Sequence, residues 1–465
     1  MRSHPDAREI IIVGAGAAGL AAAWTLESRR RHGNYRVQIL EASERIGGRM
    51  FCEEVDGFQV YGGASVIHES FATVREMARA LDVELHPSPG KKGAQSFAGG
   101  RFWSLYVGGA LKQKLESLRT MFFSPQNSLR GMWEMARLFA KLRKHSDELD
   151  FEDHTRIFDL DTGESFAEFA RTNNLNRYLK HGGELDINCF TGGSPEQVGA
   201  AYGMALLWLW TFNQAERSYL PKQGVATFAK ALTDTVADSI RVATPVERIL
   251  TEAGAARGVV TASGEEIRAD AVICATTSST AARIIPDPAV REVLERVTYS
   301  SCCNVAFGLD VNILPEDCHA ALFPQGSQTF LTMVTNLAGL TPEAAPPGKT
   351  LVHALVIDEH ARELFTCNDD EVLRRVMGEM RRFFRAMPEQ PVFGKVYRWP
   401  EAICLMPGGM LREMHEMRTR LPDRIGGLFV AGDYTRLPSL NGAMKSGVEA
   451  AEDSLAYLEN PRLHR

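Results

Sequence analysis

The residues best suited to chemistry lie near the start of the chain, where three glycines follow a short apolar run. Residues 14–19 read Gly-Ala-Gly-Ala-Ala-Gly, directly after the run at 10–13. In such a pattern Gly14 permits a tight turn, Gly16 leaves room for a phosphate beside the backbone, and Gly19 lets a helix pack closely on a strand. The spacing therefore predicts a site for the diphosphate of a dinucleotide.

The elements around these glycines must hold them in place. The run at 10–13 is rich in β-branched residues and predicts a buried strand, and residues 20–26 predict a helix whose N-terminus attracts phosphate. A second strand at 37–40 ends in Glu41, where an acidic residue binds a ribose hydroxyl. A glycine turn alone could belong to any α/β protein, but the whole unit predicts nucleotide binding.

Composition excludes several classes of protein. With 465 residues the chain exceeds one ordinary core, so we expect two domains. The net charge of −6 argues against a general nucleic-acid binder. The eight cysteines form no C-x-x-C pair, which predicts reduced thiols and neither a metal site nor a disulfide framework. The early first strand leaves no room for a secretory signal, and no apolar run is long enough to span a membrane, so we expect a cytoplasmic protein.

Three further segments resemble motifs of the FAD-dependent amine oxidase superfamily. Residues 45–49 read Arg-Ile-Gly-Gly-Arg, residues 63–68 read Gly-Ala-Ser-Val-Ile-His, and Ala-Gly-Asp at 431–433 precedes Asn-Gly-Ala-Met at 441–444. The superfamily includes monoamine and polyamine oxidases, protoporphyrinogen oxidase, phytoene-type desaturases and, more distantly, prenylcysteine oxidase. The resemblance implies an α/β fold, in which a Rossmann-type FAD-binding domain of the glutathione-reductase type carries an inserted α+β substrate domain.

The same resemblance implies roles for individual residues. Asp433 would bind the ribityl chain of FAD, and Val246 would pair its backbone with the adenine. The N-terminus of the last helix, at 442–444, would direct its dipole at the flavin and stabilise negative charge there. The predicted FAD-binding residues are Gly14, Ala15, Gly16, Ala18, Gly19, Glu41, Ala42, Ser43, Gly48, Arg49, Gly63, Ala64, Ser65, Val246, Gly432, Asp433, Asn441, Gly442, Ala443 and Met444.

Three positions depart from the amine oxidase pattern. The lysine that holds a water at flavin N5 is matched near Asn304, an aromatic-cage tyrosine is matched by Ser439, and a usual glutamate by Asn441. These departures favour a desaturase-like or protoporphyrinogen-oxidase-like enzyme, in which hydride passes from a C–H bond of a small, largely apolar substrate to the flavin and a second acceptor, such as oxygen, reoxidises it. Oxidation of a C–N bond is the alternative. A binding protein of this fold, as the GDP dissociation inhibitors are, is a remote one, because such a protein has no need of the intact FAD motifs.

The resemblance also predicts how the chain is divided. We expect the FAD domain at residues 1–90, 220–285 and 400–465, and the substrate domain at 91–219 and 286–399. On the substrate side we expect His68 and Trp399 to act in the reaction, although His68 could also be structural and Trp399 could serve only in packing.

Two stretches between residues 111 and 142 predict amphipathic helices. Leu111, Leu115, Leu118 and Met121 fall on one helical face, and the next helix combines an apolar face with many Arg and Lys residues. Such a basic amphipathic pattern is more often a solvated face above a core. The alternative is a peripheral membrane contact. Oligomeric state does not follow from the sequence.

Overall fold

A computed structural model describes residues 7–30, 34–64, 66–88, 93–106, 110–213, 216–222, 224–324 and 326–460. The first predicted strand lies in the middle of a parallel sheet. The inner strands of this sheet are covered on both faces towards their C-terminal ends, where they are apolar. Residues 10–13, 39–40 and 271–274 are almost fully buried. The five strands stand in the spatial order Ile240–Arg241, Tyr35–Leu40, Arg8–Val13, Ala271–Cys274 and Leu428–Val430.

A second, mostly antiparallel sheet has seven strands. They stand in the order Phe393–Trp399, Cys302–Leu309, Thr350–Ile357, Met333–Asn336, Cys318–Leu322, Gly93–Ala98 and Arg101–Leu105. The described residues also form three small sheets. The first consists of Val246–Glu252, Ala255–Thr261 and Glu266–Arg268, and the second of Cys52–Val55 and Phe58–Tyr61. The third consists of Ile67–His68, Ser218–Pro221 and Leu85–Pro87.

Helices cover the sheets and build a separate helical layer. The α-helices span Ala17–Arg29, Ala72–Ala80, Leu111–Phe123, Leu129–Lys144, Phe166–Thr172, Asn176–Tyr178, Glu184–Thr191, Ala200–Leu207, Ala226–Val236, Ser278–Ile284, Pro288–Glu295, Asp358–Phe365, Asp369–Phe383, Met410–Arg424 and Leu440–Glu459. Short 3₁₀ helices span His154–Leu160, Ala237–Ser239, Pro342–Ala344 and Asp433–Thr435, and π-helical turns span Leu179–Gly183 and Trp208–Phe212. Within the described ranges, no helix is both long and apolar enough to cross a membrane.

The apolar core is divided in a way that the sequence does not indicate. One large cluster joins the five-stranded sheet to the helical layer, so that Ile10 and Tyr202 belong to the same core. The seven-stranded sheet has a core of its own around Phe307 and Val356. The eight cysteines are free thiols, and the described residues contain no group of three or more His, Cys, Asp or Glu side chains placed to hold a metal.

The two amphipathic helices form as predicted, but the first one turns its apolar face outward. Leu111, Leu115 and Leu118 are exposed, whereas the polar Ser117 and Thr120 are buried. For these leucines, the expectation of a face packed on a core is therefore wrong. The second helix, Leu129–Lys144, does bury an apolar edge through Leu138 and Leu142.

Candidate active site

The glycine turn at residues 14–19 contains two glycines that the protein itself requires and one that it does not. Gly14 has φ +100°, and a Cβ there would lie 2.7 Å from the carbonyl oxygen of Ala275. A Cβ on Gly19 would lie 1.9 Å from the carbonyl oxygen of Gly14. At Gly16 no atom of the chain lies within 4 Å of such a Cβ, so packing does not explain this glycine. An open position at the start of the first helix, Ala17–Arg29, fits the close approach of a diphosphate.

Glu41 stands at the end of the neighbouring strand, as predicted, and orders the loop around it. One carboxylate oxygen accepts a 2.8 Å hydrogen bond from the N–H of Ala15, and the other accepts bonds from the N–H and hydroxyl of Ser43. The oxygen that is bonded to Ala15 retains a lone pair that can accept a hydrogen bond from a ribose hydroxyl. The exposed Ala42 lies between these residues.

The predicted adenine-side residue lies beside this loop. The N–H of Thr244 donates to the carbonyl oxygen of Glu41 at 2.8 Å, and the N–H of Ala243 donates to that of Ser43 at 2.9 Å. Val246 begins its strand two residues later and pairs with Thr261. The structure therefore brings Val246 close to Glu41, although 200 residues separate them in sequence.

An ion pair ties the beginning of the chain to its end. Arg49 donates to Asp433 at 2.9 Å and to the carbonyl oxygen of Ala402 at 2.9 Å. Burial alone would lower the pKa of Arg49, but the charge of Asp433 and its hydrogen bond raise it well above its usual range, which keeps the guanidinium charged. Gly432 positions Asp433 by donating its N–H to the hydroxyl of Ser446 at 2.9 Å. A polar group of a ligand can therefore meet either charge in a fixed position.

The first and last helices begin at the same edge of the sheet. The strands that lead to them, Arg8–Val13 and Leu428–Val430, flank the strand Ala271–Cys274 in parallel register. A Cβ on Gly447 would lie 2.1 Å from the carbonyl oxygen of Ala18, so the two helices touch along their backbones. The first turn of the first helix therefore packs against the body of the last helix, as a shared site at their N-termini requires.

The last helix, Leu440–Glu459, starts with a defined cap. The hydroxyl of Ser439 accepts the N–H of Gly442 at 2.9 Å, and the N–H of Ala443 donates to the carbonyl oxygen of Ser439. Ser439 therefore has a structural role at this position, where the amine oxidases carry an aromatic side chain. Met444 is completely buried beneath the first turn.

A carboxylate lies against position 441 even though the chain has asparagine there. The side-chain amide of Asn441 donates to Glu152 at 2.9 Å, while its oxygen accepts the N–H of Val74 at 3.2 Å. Glu152 also accepts a hydrogen bond from Thr73 and pairs with Lys445 at 2.7 Å. Burial would raise the pKa of Glu152, but these hydrogen bonds and the charge of Lys445 lower it, so the carboxylate stays ionised. The sequence did not reveal this partner, which belongs to the helical layer.

The motif at residues 63–68 begins next to Arg49. The N–H of Ala64 donates to the carbonyl oxygen of Arg49 at 3.0 Å, and a Cβ on Gly63 would lie 2.0 Å from that oxygen. Gly48 is less tightly confined, since its Cβ would lie 3.1 Å from the Cα of Gly16, but its φ of +55° favours glycine. Ser65 lies outside the described residues. These contacts place Gly48, Gly63 and Ala64 at the same groove as Gly16 and Asp433.

Trp399 reaches this segment from the edge strand of the larger sheet. Its indole N–H donates to the carbonyl oxygen of Gly62 at 2.7 Å, and the guanidinium of Arg45 lies 5.7 Å from its ring centroid. The indole N–H is therefore occupied by the backbone, and Trp399 offers a ligand only its ring.

His68 is buried among aromatic rings. Its ring centroid lies 4.2 Å from that of Trp210 and 5.2 Å from that of Phe71. Burial lowers the pKa of His68 to about 4, so the imidazole is neutral at physiological pH. Within the described part of the chain neither ring nitrogen has a hydrogen-bond partner, and the carboxylate of Glu216 lies 3.9 Å from Nδ1. Two polar atoms in an apolar setting are costly unless a ligand satisfies them.

A second buried histidine was missed by the sequence reasoning. On the strand Thr350–Ile357, the Nδ1 of His353 lies 3.1 Å from the side-chain oxygen of Asn304, whose amide donates to the carbonyl oxygen of Tyr61. Because the amide oxygen can only accept, Nδ1 carries the proton and Nε2 is a bare acceptor. No described residue bonds Nε2, and burial lowers the pKa of His353 to about 3. The sequence marks this residue only as a single histidine inside an otherwise apolar strand.

Comparison with known proteins agrees with this geometry. Residues 17–455 match the model of the family described as flavin containing amine oxidoreductase. The chain is 22% identical to coproporphyrinogen III oxidase of Bacillus subtilis (strain 168), over 97% of this chain and 98% of that protein. It is 26% identical to a zeta-carotene-forming phytoene desaturase of Myxococcus xanthus, over 77% of this chain and 74% of that protein.

A solved structure has the same fold over nearly the whole length. It is that of a proposed protoporphyrinogen oxidase from Exiguobacterium sp. 255-15, with a TM-score of 0.76, 19% identity, and coverage of 97% of this chain and 99% of that one. These findings confirm the predicted α/β fold, the FAD cofactor and the enzyme class, and they give no support to a non-catalytic binding protein. The chain belongs to the flavin containing amine oxidoreductase family and is an FAD-dependent oxidoreductase.

Proposed function

We propose that this oxidoreductase removes hydride from a C–H bond of a small, largely apolar substrate, as in the desaturase and porphyrinogen-oxidase branches, and not from the C–N centre of an amine. The observation that carries the proposal is the pair of buried, neutral histidines, His68 and His353. A protonated amine needs a free carboxylate or an aromatic cage. The carboxylate near His68, Glu216, already accepts two hydrogen bonds from Ser70.

FAD, when bound, supplies the hydride acceptor. The residues that would hold it are the Gly16 turn for the diphosphate, Glu41 for a ribose, and Asp433 with Arg49 for the polar linker. The N-terminus of the last helix would offer its positive dipole end to developing negative charge. In support, Glu41 bonds the backbone of the glycine turn at Ala15, Arg49 bonds Asp433, and the strands that lead to the two helices lie in parallel register.

The chain's own part in the reaction is to exclude water and to accept a proton. Forming a C=C bond removes a hydride from one carbon and a proton from its neighbour, so the proton needs an acceptor. The unprotonated nitrogen of His68 can receive it, and that of His353, whose pKa is lowered further, is suited to hydrogen-bond the substrate. Trp210 and Phe71, packed on His68, suit an apolar substrate better than a charged one.

We also propose the division into domains expected from the sequence. Residues 1–90, 220–285 and 400–465 would form the FAD domain, and residues 91–219 and 286–399 the substrate domain. In support, every strand of the parallel sheet lies in the first set of ranges and every strand of the seven-stranded sheet in the second. A cytoplasmic location is proposed as well, because the eight free thiols suit a reducing compartment.

Anaerobic bleaching of the bound flavin tests the substrate class. The holoenzyme is mixed with porphyrinogens, polyenes, monoamines, polyamines and L-amino acids, and the loss of flavin absorbance is followed in time. We expect bleaching by a porphyrinogen or a polyene and little by the amines. Rapid bleaching by an amine or amino acid would overturn the proposal, provided that dithionite reduces the flavin in the same sample.

A matched pair of variants tests the role of His68. His68→Phe keeps a ring of similar size but removes both nitrogens, whereas Phe71→Leu disturbs the same cluster and leaves the imidazole in place. If His68 accepts a proton, His68→Phe should slow substrate-driven bleaching about a hundredfold with unchanged flavin content. Equal effects of the two variants would mean that His68 only packs.

A further inference from the structure

The helix Leu111–Phe123 presents a continuous apolar stripe to solvent. Leu111, Leu115, Leu118 and Phe122 recur at helical spacing on one face, and they are 74%, 57%, 48% and 55% exposed. Single exposed apolar residues are ordinary, but a contiguous stripe marks a surface that something else covers.

Polar contacts hold this helix in its outward orientation. The hydroxyl of Ser117 bonds the backbone N–H of Tyr106 at 2.9 Å, and that of Thr120 donates to the carbonyl oxygen of Ser104 at 2.5 Å. Both hydroxyl residues are buried. The stripe is therefore built into the fold, because turning the leucines inward would break these bonds.

The next helix also exposes large apolar side chains. Leu129 and Trp133, one turn apart at the start of Leu129–Lys144, are 76% and 60% exposed. The buried Leu138 and Leu142 fix the other side of this helix to the core. We call the two helices Leu111–Phe123 and Leu129–Lys144 the surface helices.

The surface helices differ sharply in charge from the remainder of the molecule. Residues 111–144 contain eight Lys and Arg and two Glu, a net charge of +6 in a chain whose total is −6. One of the glutamates, Glu134, is buried and satisfied by Arg130 and two backbone N–H groups. Basic charge beside exposed Leu, Phe and Trp is the composition of helices that lie in a membrane interface.

We propose that the surface helices dock the protein on an anionic lipid surface, with the leucine stripe entering the interface and the basic residues meeting the lipid phosphates. A second copy of the chain is a poorer occupant, because a two-fold contact would place one +6 surface against another. The biological reason for docking rests on the proposed function, since an apolar substrate concentrates in lipid. The docking itself can be measured without any substrate.

Co-sedimentation of the holoenzyme with vesicles tests the proposal. One set of vesicles is phosphatidylcholine alone, and the other contains equal parts of phosphatidylcholine and phosphatidylglycerol; protein and flavin absorbance are both followed. We expect at least about tenfold tighter binding to the anionic vesicles, because each basic residue near the surface contributes to binding. Phe122→Ser with Phe123→Ser should weaken it about a hundredfold, and Lys112→Gln with Lys114→Gln about tenfold.

The matched control uses exposed apolar residues elsewhere on the surface. Val242 and Val311 are 40% and 39% exposed, and changing both to serine should alter vesicle binding by less than about twofold. Equal binding of the unmodified protein to both vesicle types would overturn the proposal. So would a control variant that loses as much vesicle binding as the Phe122→Ser/Phe123→Ser variant. A concentration-dependent dimer that the Phe122→Ser/Phe123→Ser change abolishes, with no vesicle binding, would assign the surface to a second copy instead. Because bound flavin is read in every sample, loss of docking is distinguishable from failure of the flavin site.

Discussion

The nucleotide groove and the substrate side satisfy their buried polar groups in opposite ways. In the groove, Arg49 is paired with Asp433 and Asn441 with Glu152. On the substrate side, His68 and His353 keep ring nitrogens that no described residue bonds. A tightly bound cofactor is best held by side chains that are already fixed in position. A substrate that comes and goes needs acceptors that are free to bind it.

The same contrast holds for the apolar surface. Around the parallel sheet, apolar residues lie inside, and the first and last helices touch along their backbones. In the helix Leu111–Phe123, hydroxyl groups face inward and leucines face solvent. The helix Leu111–Phe123 therefore differs from the parallel sheet in leaving its apolar face uncovered by the described part of the chain.

The largest expected effect comes from separating the two kinds of glycine in the turn. Gly16→Val should lower FAD affinity at least about a hundredfold, because the side chain would fill the space needed by the diphosphate. The apoprotein should lose only about 1 kcal/mol, since no atom of the chain meets the new side chain. Flavin content after purification and the melting temperature of the apoprotein measure the two effects.

Gly19→Ala is the matched control within the same turn. Its Cβ would lie 1.9 Å from the carbonyl oxygen of Gly14, so the apoprotein itself should lose about 3 kcal/mol or more. Wild-type flavin content in Gly16→Val protein would show that the turn does not hold the diphosphate and would remove the contrast between the two glycines.

The second prediction concerns the ion pair that joins the two ends of the chain. Arg49→Met should destabilise the protein by about 3 kcal/mol, because it leaves the carboxylate of Asp433 buried without its partner. Adding Asp433→Asn to that variant should restore part of the lost stability, because the unpaired charge is then removed. Chemical unfolding of the apoproteins in a double-mutant cycle measures the coupling. A coupling energy near zero would mean that the groove is not pre-organised by this pair.

The sequence was enough to predict those parts of the molecule whose structure depends on residues close together in the chain. The turn at Gly14–Gly19 and the acid at Glu41 could be predicted because their spacing is set by one strand, one turn and one helix. The first and last strands of the parallel sheet follow from equally local patterns.

The remaining features depend on contacts between distant segments. Glu152 meets Asn441 across 289 residues, and His353 meets Asn304 across 49, so no local pattern indicates either pair. The helix Leu111–Phe123 was predicted, but its orientation was not. Periodicity shows that a helix has an apolar face and cannot tell which way the rest of the fold turns it.

The smallest expected effect is the pH dependence of stability that His353 contributes. The pKa of His353 is lowered to about 3 in the folded protein, against about 6.5 in the unfolded chain. The unfolded state therefore binds more protons between these values, and stability that is fully present above pH 6.5 is lost as the pH falls.

At pH 5 this linkage should cost about 2 kcal/mol relative to pH 8 for His353. His353→Gln removes the titrating group and can still hydrogen-bond Asn304, so its unfolding free energy should fall less between pH 8 and pH 5 than that of the unmodified protein. The exposed His86, which pairs with Glu84 at the surface, provides the matched control, and His86→Gln should leave the pH dependence unchanged. Identical slopes for His353→Gln and the unmodified protein would mean that His353 is not held neutral, and that the substrate side satisfies its buried groups as fully as the nucleotide groove does.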